Sequence, residues 1–347
     1  MKYNQLGHSG LFVSEICLGT MTFTGDGKNA GMWAAIGDIG QKAATEIVGR
    51  SVAAGVNFVD TADVYSAGQS ERLTGQAIKD LGLKRSSLVI ATKCYGRMGP
   101  GVNDIGASRG HIMDSVARSL ERLGTDHIDL YQIHATDVVT PVEETMRALD
   151  DLVRSGLVRY VGCSNWQAWR VMKANGLAAQ HGWSRLQTVQ AYYSIAGRDL
   201  EREIVPMMAD QKVGLMVWSP LAGGLLSGKF GPGSNGPEGA RRVAFDFPPV
   251  DKDRAWKCVD AMREIGAAHG GASVARVALA YVLAKKFVTS VIIGAKTMEQ
   301  LDDNLEAVKL TLSADEMKTL DTVSALPPEY PGWMVSRQGA ERVPQAK

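Results

Sequence analysis

The chain has 347 residues, 45% hydrophobic and 22% charged, with a formal net charge of +1, which excludes a disordered chain and provides for a large core. The near-neutral balance, in which Arg241-Arg242 is an isolated basic pair, argues against a nucleic-acid partner. Four scattered cysteines without a C-x-x-C pair, an opening "MKYNQLGHSG" without an apolar signal core, and the lack of any apolar run of about 18 residues lead to the expectation of a cytoplasmic protein with no membrane partner.

Short apolar runs alternate with longer segments of helical periodicity. The opening stretch "LGHSGLFVSEICLGTMTF" fits a hairpin at a barrel floor leading into a first strand, EICLGT (15–20). A helix is expected over 43–54, where Ile47, Val48 and Val52 share a face, then a strand at NFVDT (57–61) and an amphipathic helix from Ser70 to about Asp80. SLVIATK (87–93) is the third strand, 109–122 the next helix and HIDLYQIH (127–134) the fourth strand. Thr140-Pro141-Val142-Glu143 reads as an N-cap, a proline at the first helical position and an acid near the capping-box place. VRYVGCSN (158–165), LQTVQ (186–190), GLMVWSP (214–220) and VTSVIIG (288–294) complete the strands, and Gly270-Gly271 divides the helical region 251–286. Segments 96–110, 223–249 and 326–333 read as loops and tail.

Eight nearly continuous apolar runs separated by helices predict parallel strands buried on both faces, closing into a (β/α)8 TIM barrel. The chain reads as one domain, 1–347, with 326–347 a candidate cover for the mouth. A doubly wound sheet would carry G-x-G-x-x-G after its first strand; GPGVNDIG (99–106) follows the third and lacks that spacing.

Barrel active sites lie at the C-terminal ends of the strands. Asp60, Lys93 and His134 end three consecutive strands, and Tyr65 follows closely enough to fold back over them. A phenol donating a proton at neutral pH needs help from a neighbouring cation, and the expectation is that Lys93 draws the Tyr65 pKa down while Asp60 balances the ammonium. His134 can polarise a carbonyl oxygen. Together these groups suit carbonyl reduction, whose hydride must come from a cofactor. Ser164, Asn165 and Gln190 can read a carboxamide, Trp218 can stack on a ring, and SPLAGGLLSGK (219–229) offers backbone N–H groups and Lys229 to a pyrophosphate.

These motifs resemble the aldo-keto reductase family over almost the whole chain: LGTMTF, FVDTADVYSAGQSE, ATK, DLYQIH, VGCSNW, QAYYS, WSPLAGGLLSGK and IIGAKTMEQLDDN occur in family order. The resemblance implies a catalytic tetrad of Asp60, Tyr65, Lys93 and His134, with Tyr65 as general acid. It implies cofactor contacts at Gly19, Thr20, Ser164, Asn165, Gln190, Trp218, Ser219, Leu221, Gly223, Lys229, Gly294, Lys296, Thr297, Gln300 and Asn304. NADP(H) is the expected nucleotide; Lys296, standing where many relatives carry arginine, leaves NAD(H) open. Trp33, Arg97, Met98 and Trp166 are candidates for the pocket of a small carbonyl or alcohol substrate. No metal is expected, since the six histidines show neither H-x-H nor H-E-x-x-H spacing. The alternative is a nucleotide-binding, redox-sensing regulatory subunit with little turnover; a homo-oligomer stays open.

Overall fold

A computed structural model describes residues 1–25, 33, 36–234, 236 and 240–342. Strands β1 (Tyr3–Gln5) and β2 (Phe12–Ser14) pair antiparallel as a hairpin. Eight more strands run parallel and close into a barrel, the last pairing with the first: β3 (Ile16–Gly19), β4 (Phe58–Asp60), β5 (Val89–Cys94), β6 (Ile128–Ile133), β7 (Val158–Ser164), β8 (Leu186–Tyr192), β9 (Gly214–Trp218) and β10 (Val288–Ile293). Helices α1 (Gln41–Ala53), α2 (Gln69–Asp80), α3 (Arg109–Leu123), α4 (Val142–Arg154), α5 (Ala168–His181) and α6 (Ile204–Gln211) cover successive strands from outside. Between β9 and β10 come α7 (Arg241–Ala244), α8 (Lys252–Ala268) and α9 (Val274–Leu283), and after β10 come α10 (Met298–Glu306), α11 (Ala314–Val323) and α12 (Gly332–Arg342). This is the (β/α)8 TIM barrel with an N-terminal hairpin.

Two-residue alternation divides each strand between two cores. Cys17, Phe58, Val89, Ala91, Leu130 and Met216 face inward and pack together, and hairpin residues Leu6 and Val13 join them to plug the floor. Leu18, Ile90, Ile133 and Val161 face outward into the larger core shared with the helices. Keeping the inward parity, Phe58 leads to Asp60, Ala91 to Lys93, and Leu130 to Gln132 and then His134. Parallel pairing sets Gly19 level with Asp60, Lys93 with Gln132 and Ser164 with Gln190 at the C-terminal rim.

Helix α4 begins one residue later than the sequence suggests. Pro141 is its N-cap and Val142 its first residue, because Thr140 is engaged elsewhere. The Asp137 carboxylate accepts from the Val139 and Thr140 backbone N–H groups and from the Thr140 hydroxyl, holding the threonine in the preceding turn. The segment taken as tail carries α12, and the loop after β9 carries α7. The tail is tied at its start to Arg202, which pairs with Glu329 at 2.7 Å and donates to the Pro327 carbonyl at 3.3 Å. Of the tail residues from 326 whose side chains are described, none lines the large groove described below, and 343–347 lie outside the described residues. Among the described residues no helix is long and apolar enough to cross a membrane, and no cluster of His, Cys, Asp and Glu could hold a metal ion.

Candidate active site

Lys93 is wholly buried, and its ammonium makes three contacts: Asp60 Oδ2 at 2.6 Å, the Thr61 carbonyl at 2.8 Å and Tyr65 Oη at 3.3 Å. Asp60 Oδ1 accepts from Gln190 Nε2 at 2.9 Å and Gln132 Nε2 at 3.3 Å, so both carboxylate oxygens are satisfied. A buried ion pair without such extra donors would cost more in desolvation than attraction returns. Gln132 escaped the sequence reading, although its place two residues before His134 on the inward parity is the signal that finds it.

The turn after β4 brings the phenol over this pair. Ser70, at the start of α2, bonds to the Thr20 hydroxyl at 2.8 Å, the Thr61 hydroxyl at 3.0 Å and the Thr20 carbonyl at 2.7 Å, pinning the turn at its far end. His134 lies edge-on to Tyr65 with ring centroids 5.7 Å apart, and Trp33 meets the same phenol edge-on at 5.9 Å.

The protonation states follow from burial. Burial raises the Tyr65 pKa, and this outweighs the lowering by Lys93, so the net shift is upward, opposite to the expectation from the sequence. The phenol therefore keeps its proton at neutral pH and can donate it. Burial alone would lower the Lys93 pKa, but Asp60 and Tyr65 together more than offset it and the ammonium persists. Burial, with Lys93 adding to it, pushes His134 down to about 3, leaving a neutral imidazole that can hydrogen-bond without carrying charge.

Asp60, Tyr65 and His134 open onto a groove of about 1480 Å³. The same groove is lined by Gly19, Ser164, Asn165, Gln190, Trp218, Ser219, Leu221, Gly223, Lys229, Gly294, Lys296, Thr297, Gln300 and Asn304. Thr20 is not among the lining residues; it is buried and donates to the Asp60 carbonyl at 3.3 Å. Of the residues suggested for a substrate pocket, Trp33 reaches Tyr65, while Trp166 and Arg97 are engaged elsewhere. Trp166 is buried, its indole N–H donating to the Ala135 carbonyl and its ring packed under the Arg170 guanidinium. Arg97 donates to the Gly99 and Gly101 carbonyls, and the Met98 N–H to Asp104, so this loop closes on itself.

Several features of the groove suit a dinucleotide. Asn165 and Ser219 hold left-handed backbones, φ 59° and 52°, an arrangement that costs energy and concentrates at functional sites. Gly223, at φ 66°, admits no side chain, since a Cβ there would lie 2.2 Å from the Phe247 carbonyl oxygen. Lys229, Arg241 and Lys296 bring positive charge to the lining, and the Arg241 Nε is buried without a partner. Arg241 is the second residue the sequence reading missed, for only the fold swings its loop over the mouth. Thr297 caps α10 by accepting from the Gln300 N–H at 3.2 Å, a helix start that favours an anion. Trp218 donates its indole N–H to Asn165 Oδ1 at 3.0 Å, and its ring stacks on Phe247 with centroids 5.8 Å apart.

The chain that folds into this barrel matches the Aldo/keto reductase family over residues 15–325, and it belongs to that family. The oxidoreductase YrpG of Bacillus subtilis (strain 168) is 37% identical over 96% of this chain and 100% of its own length. Versiconal hemiacetal acetate reductase of Aspergillus parasiticus is 34% identical, covering 92% of this chain and 96% of its own. A probable voltage-gated potassium channel subunit beta of Oryza sativa subsp. japonica is 35% identical, over 95% of this chain and 94% of its own. Family membership supports a carbonyl-reducing oxidoreductase acting on small molecules, and the family generally uses nicotinamide cofactors.

Proposed function

We propose that the protein is an NADP(H)-preferring oxidoreductase that interconverts aldehydes or ketones with alcohols, with Tyr65 as the proton donor in reduction. The observation that carries this reading is the Lys93 ammonium, held by Asp60 at 2.6 Å and standing 3.3 Å from Tyr65 Oη. Ser164, Asn165, Gln190 and Trp218 would hold the nicotinamide end, residues 219–229 with Arg241 the pyrophosphate, and Lys296, Thr297, Gln300 and Asn304 the adenosine end. Bound there, the reduced nucleotide supplies hydride to the carbonyl carbon.

The rest falls to side chains of this chain. His134, being neutral, donates an N–H to the substrate oxygen and orients it beside Tyr65. Tyr65 keeps its proton until negative charge grows on that oxygen and then releases it there. The resulting phenolate faces the Lys93 ammonium, whose own charge is kept by Asp60, Gln190 and Gln132. Oxidation of an alcohol runs the same steps backwards, with the phenolate as base.

The test is a panel of aldehydes, ketones, quinones and sugars assayed with NADPH and NADH by nicotinamide absorbance, alongside Tyr65→Phe. Turnover with NADPH is expected on several carbonyls, and the variant should bind NADPH yet lose nearly all of it. Undiminished turnover in the variant removes Tyr65 as the acid. A regulatory reading draws on the relatives named as potassium channel beta subunits; nucleotide binding without turnover on any carbonyl, together with a copurifying partner, would favour it.

A further inference from the structure

Asp63 lies between Asp60 and Tyr65 in the sequence and has no part in the chemistry above. Its side chain is fully buried and no side-chain donor reaches either carboxyl oxygen; the Val64 backbone N–H is the one donor close by, and its effect is smaller than those of burial and Glu71. The titratable and charged groups facing it are Glu71 of α2, Arg122 of α3, Lys93 and Cys94 of β5 and Tyr131 of β6. Glu71 has already claimed the nearby donors, accepting from the Thr92 hydroxyl at 2.6 Å and from Arg122 Nε at 2.6 Å. Lys93 spends its hydrogens on Asp60, Thr61 and Tyr65. A second carboxylate here would be a buried charge that the Val64 N–H and the more distant Arg122 and Lys93 compensate only in part, whereas a neutral carboxylic acid fits.

The same residue anchors the turn that carries the phenol. The Asp63 N–H donates to the Lys93 carbonyl at 3.1 Å, and just past Tyr65 the chain passes through left-handed Ser66 (φ 49°) and Ala67 (φ 53°). Two such non-glycine residues in succession are strained, so the turn keeps its shape only through what packs around it.

We propose that Asp63 is a positioning residue carried as the neutral acid, and that its ionisation unseats the Tyr65 turn, so that alkali disables the site through a group that never touches substrate. Burial first, and then Glu71, push its pKa up to about 8, which puts the change within reach of ordinary assays. The protonation part stands independently of the proposed function; the effect on turnover rests on the role given there to Tyr65.

Two measurements decide the protonation part without any activity. In the unfolded chain Asp63 titrates near an ordinary aspartate, about 3.9. Its folded pKa is higher, so the folded state binds the proton more tightly, and this group's effect on stability worsens as pH rises from about 4 to about 8 and is level above. Asp63→Asn removes that dependence, so the variant's melting temperature relative to wild type should climb across this window and then level off. A difference that stays constant with pH overturns the proposal. In the wild type alone, an infrared difference spectrum between pH 7 and 9 should show loss of a protonated carboxyl band; no such loss overturns it as well.

The positioning part is read from reduction at saturating NADPH and substrate. Wild-type turnover should fall roughly tenfold from pH 7 to 9, one unit past the pKa, while Asp63→Asn holds its pH 7 rate. The same alkaline fall in both proteins would refute the positioning role, even with the protonation result intact.

Discussion

Replacing Lys93 with methionine keeps most of the side-chain volume and removes a charge wedged between Asp60 and Tyr65. At the observed 3.3 Å from Tyr65 Oη, a full phenolate charge is stabilised by roughly 5 kcal/mol at an effective dielectric constant of about 20. A transition state with the proton about half transferred would lose about half of that, which is roughly two decades in kcat. Folding suffers too. Asp60 keeps only Gln190 and Gln132 as donors, and stripping one partner from a buried pair costs about 3–5 kcal/mol. The Lys93 pKa is raised above its ordinary 10.5, so the stability it contributes is fully present below that value and is lost only as pH rises past it. The assay is kcat with NADPH and a good aldehyde, at a temperature well below the variant's own melting point. Asp60→Asn/Lys93→Met is the control: removing both charges should recover much of the stability and none of the turnover. A folded Lys93→Met enzyme with kcat within about threefold of wild type would refute the electrostatic argument.

The remaining predictions follow from other parts of the site. Since His134 titrates near 3, kcat between pH 5 and 8 should show no step from it, and His134→Ala should lower kcat roughly a hundredfold. Its pKa is depressed on folding, so its linked effect on stability is a loss as pH falls from about 6.5 towards 3, visible in a pH series of melting curves that the alanine variant flattens. Gly68→Ala forces a side chain into a backbone at φ 90° with its Cβ 2.6 Å from Arg122 Cδ; a loss of more than about 1 kcal/mol by urea titration is expected, with kcat falling and NADPH affinity little changed. Lys296→Ala should weaken NADPH binding roughly tenfold while sparing NADH, measured by quenching of tryptophan fluorescence.

Much of the site was legible because its residues sit at the ends of apolar strands. Asp60, Lys93 and His134 could be placed at the mouth from position alone, and the groove gathers most of the residues suggested by the family motifs. Trp166 and Arg97 show the limit. Whether a loop side chain after a strand end faces a groove or its own backbone depends on contacts that leave no period in the sequence. Gln132 and Arg241 were overlooked for opposite reasons: one was concealed in an apolar strand, the other in a loop whose destination only the fold reveals.

Eight nearly continuous apolar runs separated by helical segments were enough to predict the parallel barrel, and the polar residues that end them were enough to put Asp60, Lys93 and His134 at its mouth. Those properties depend on the composition and order of short local segments, which are written along the chain. The balance of charge inside the mouth was decided by the tertiary structure. Whether Lys93 or burial governs the Tyr65 proton depends on how much water and which neighbours surround both groups, and that environment is assembled from β4, β5, β6 and β8, far apart in the chain.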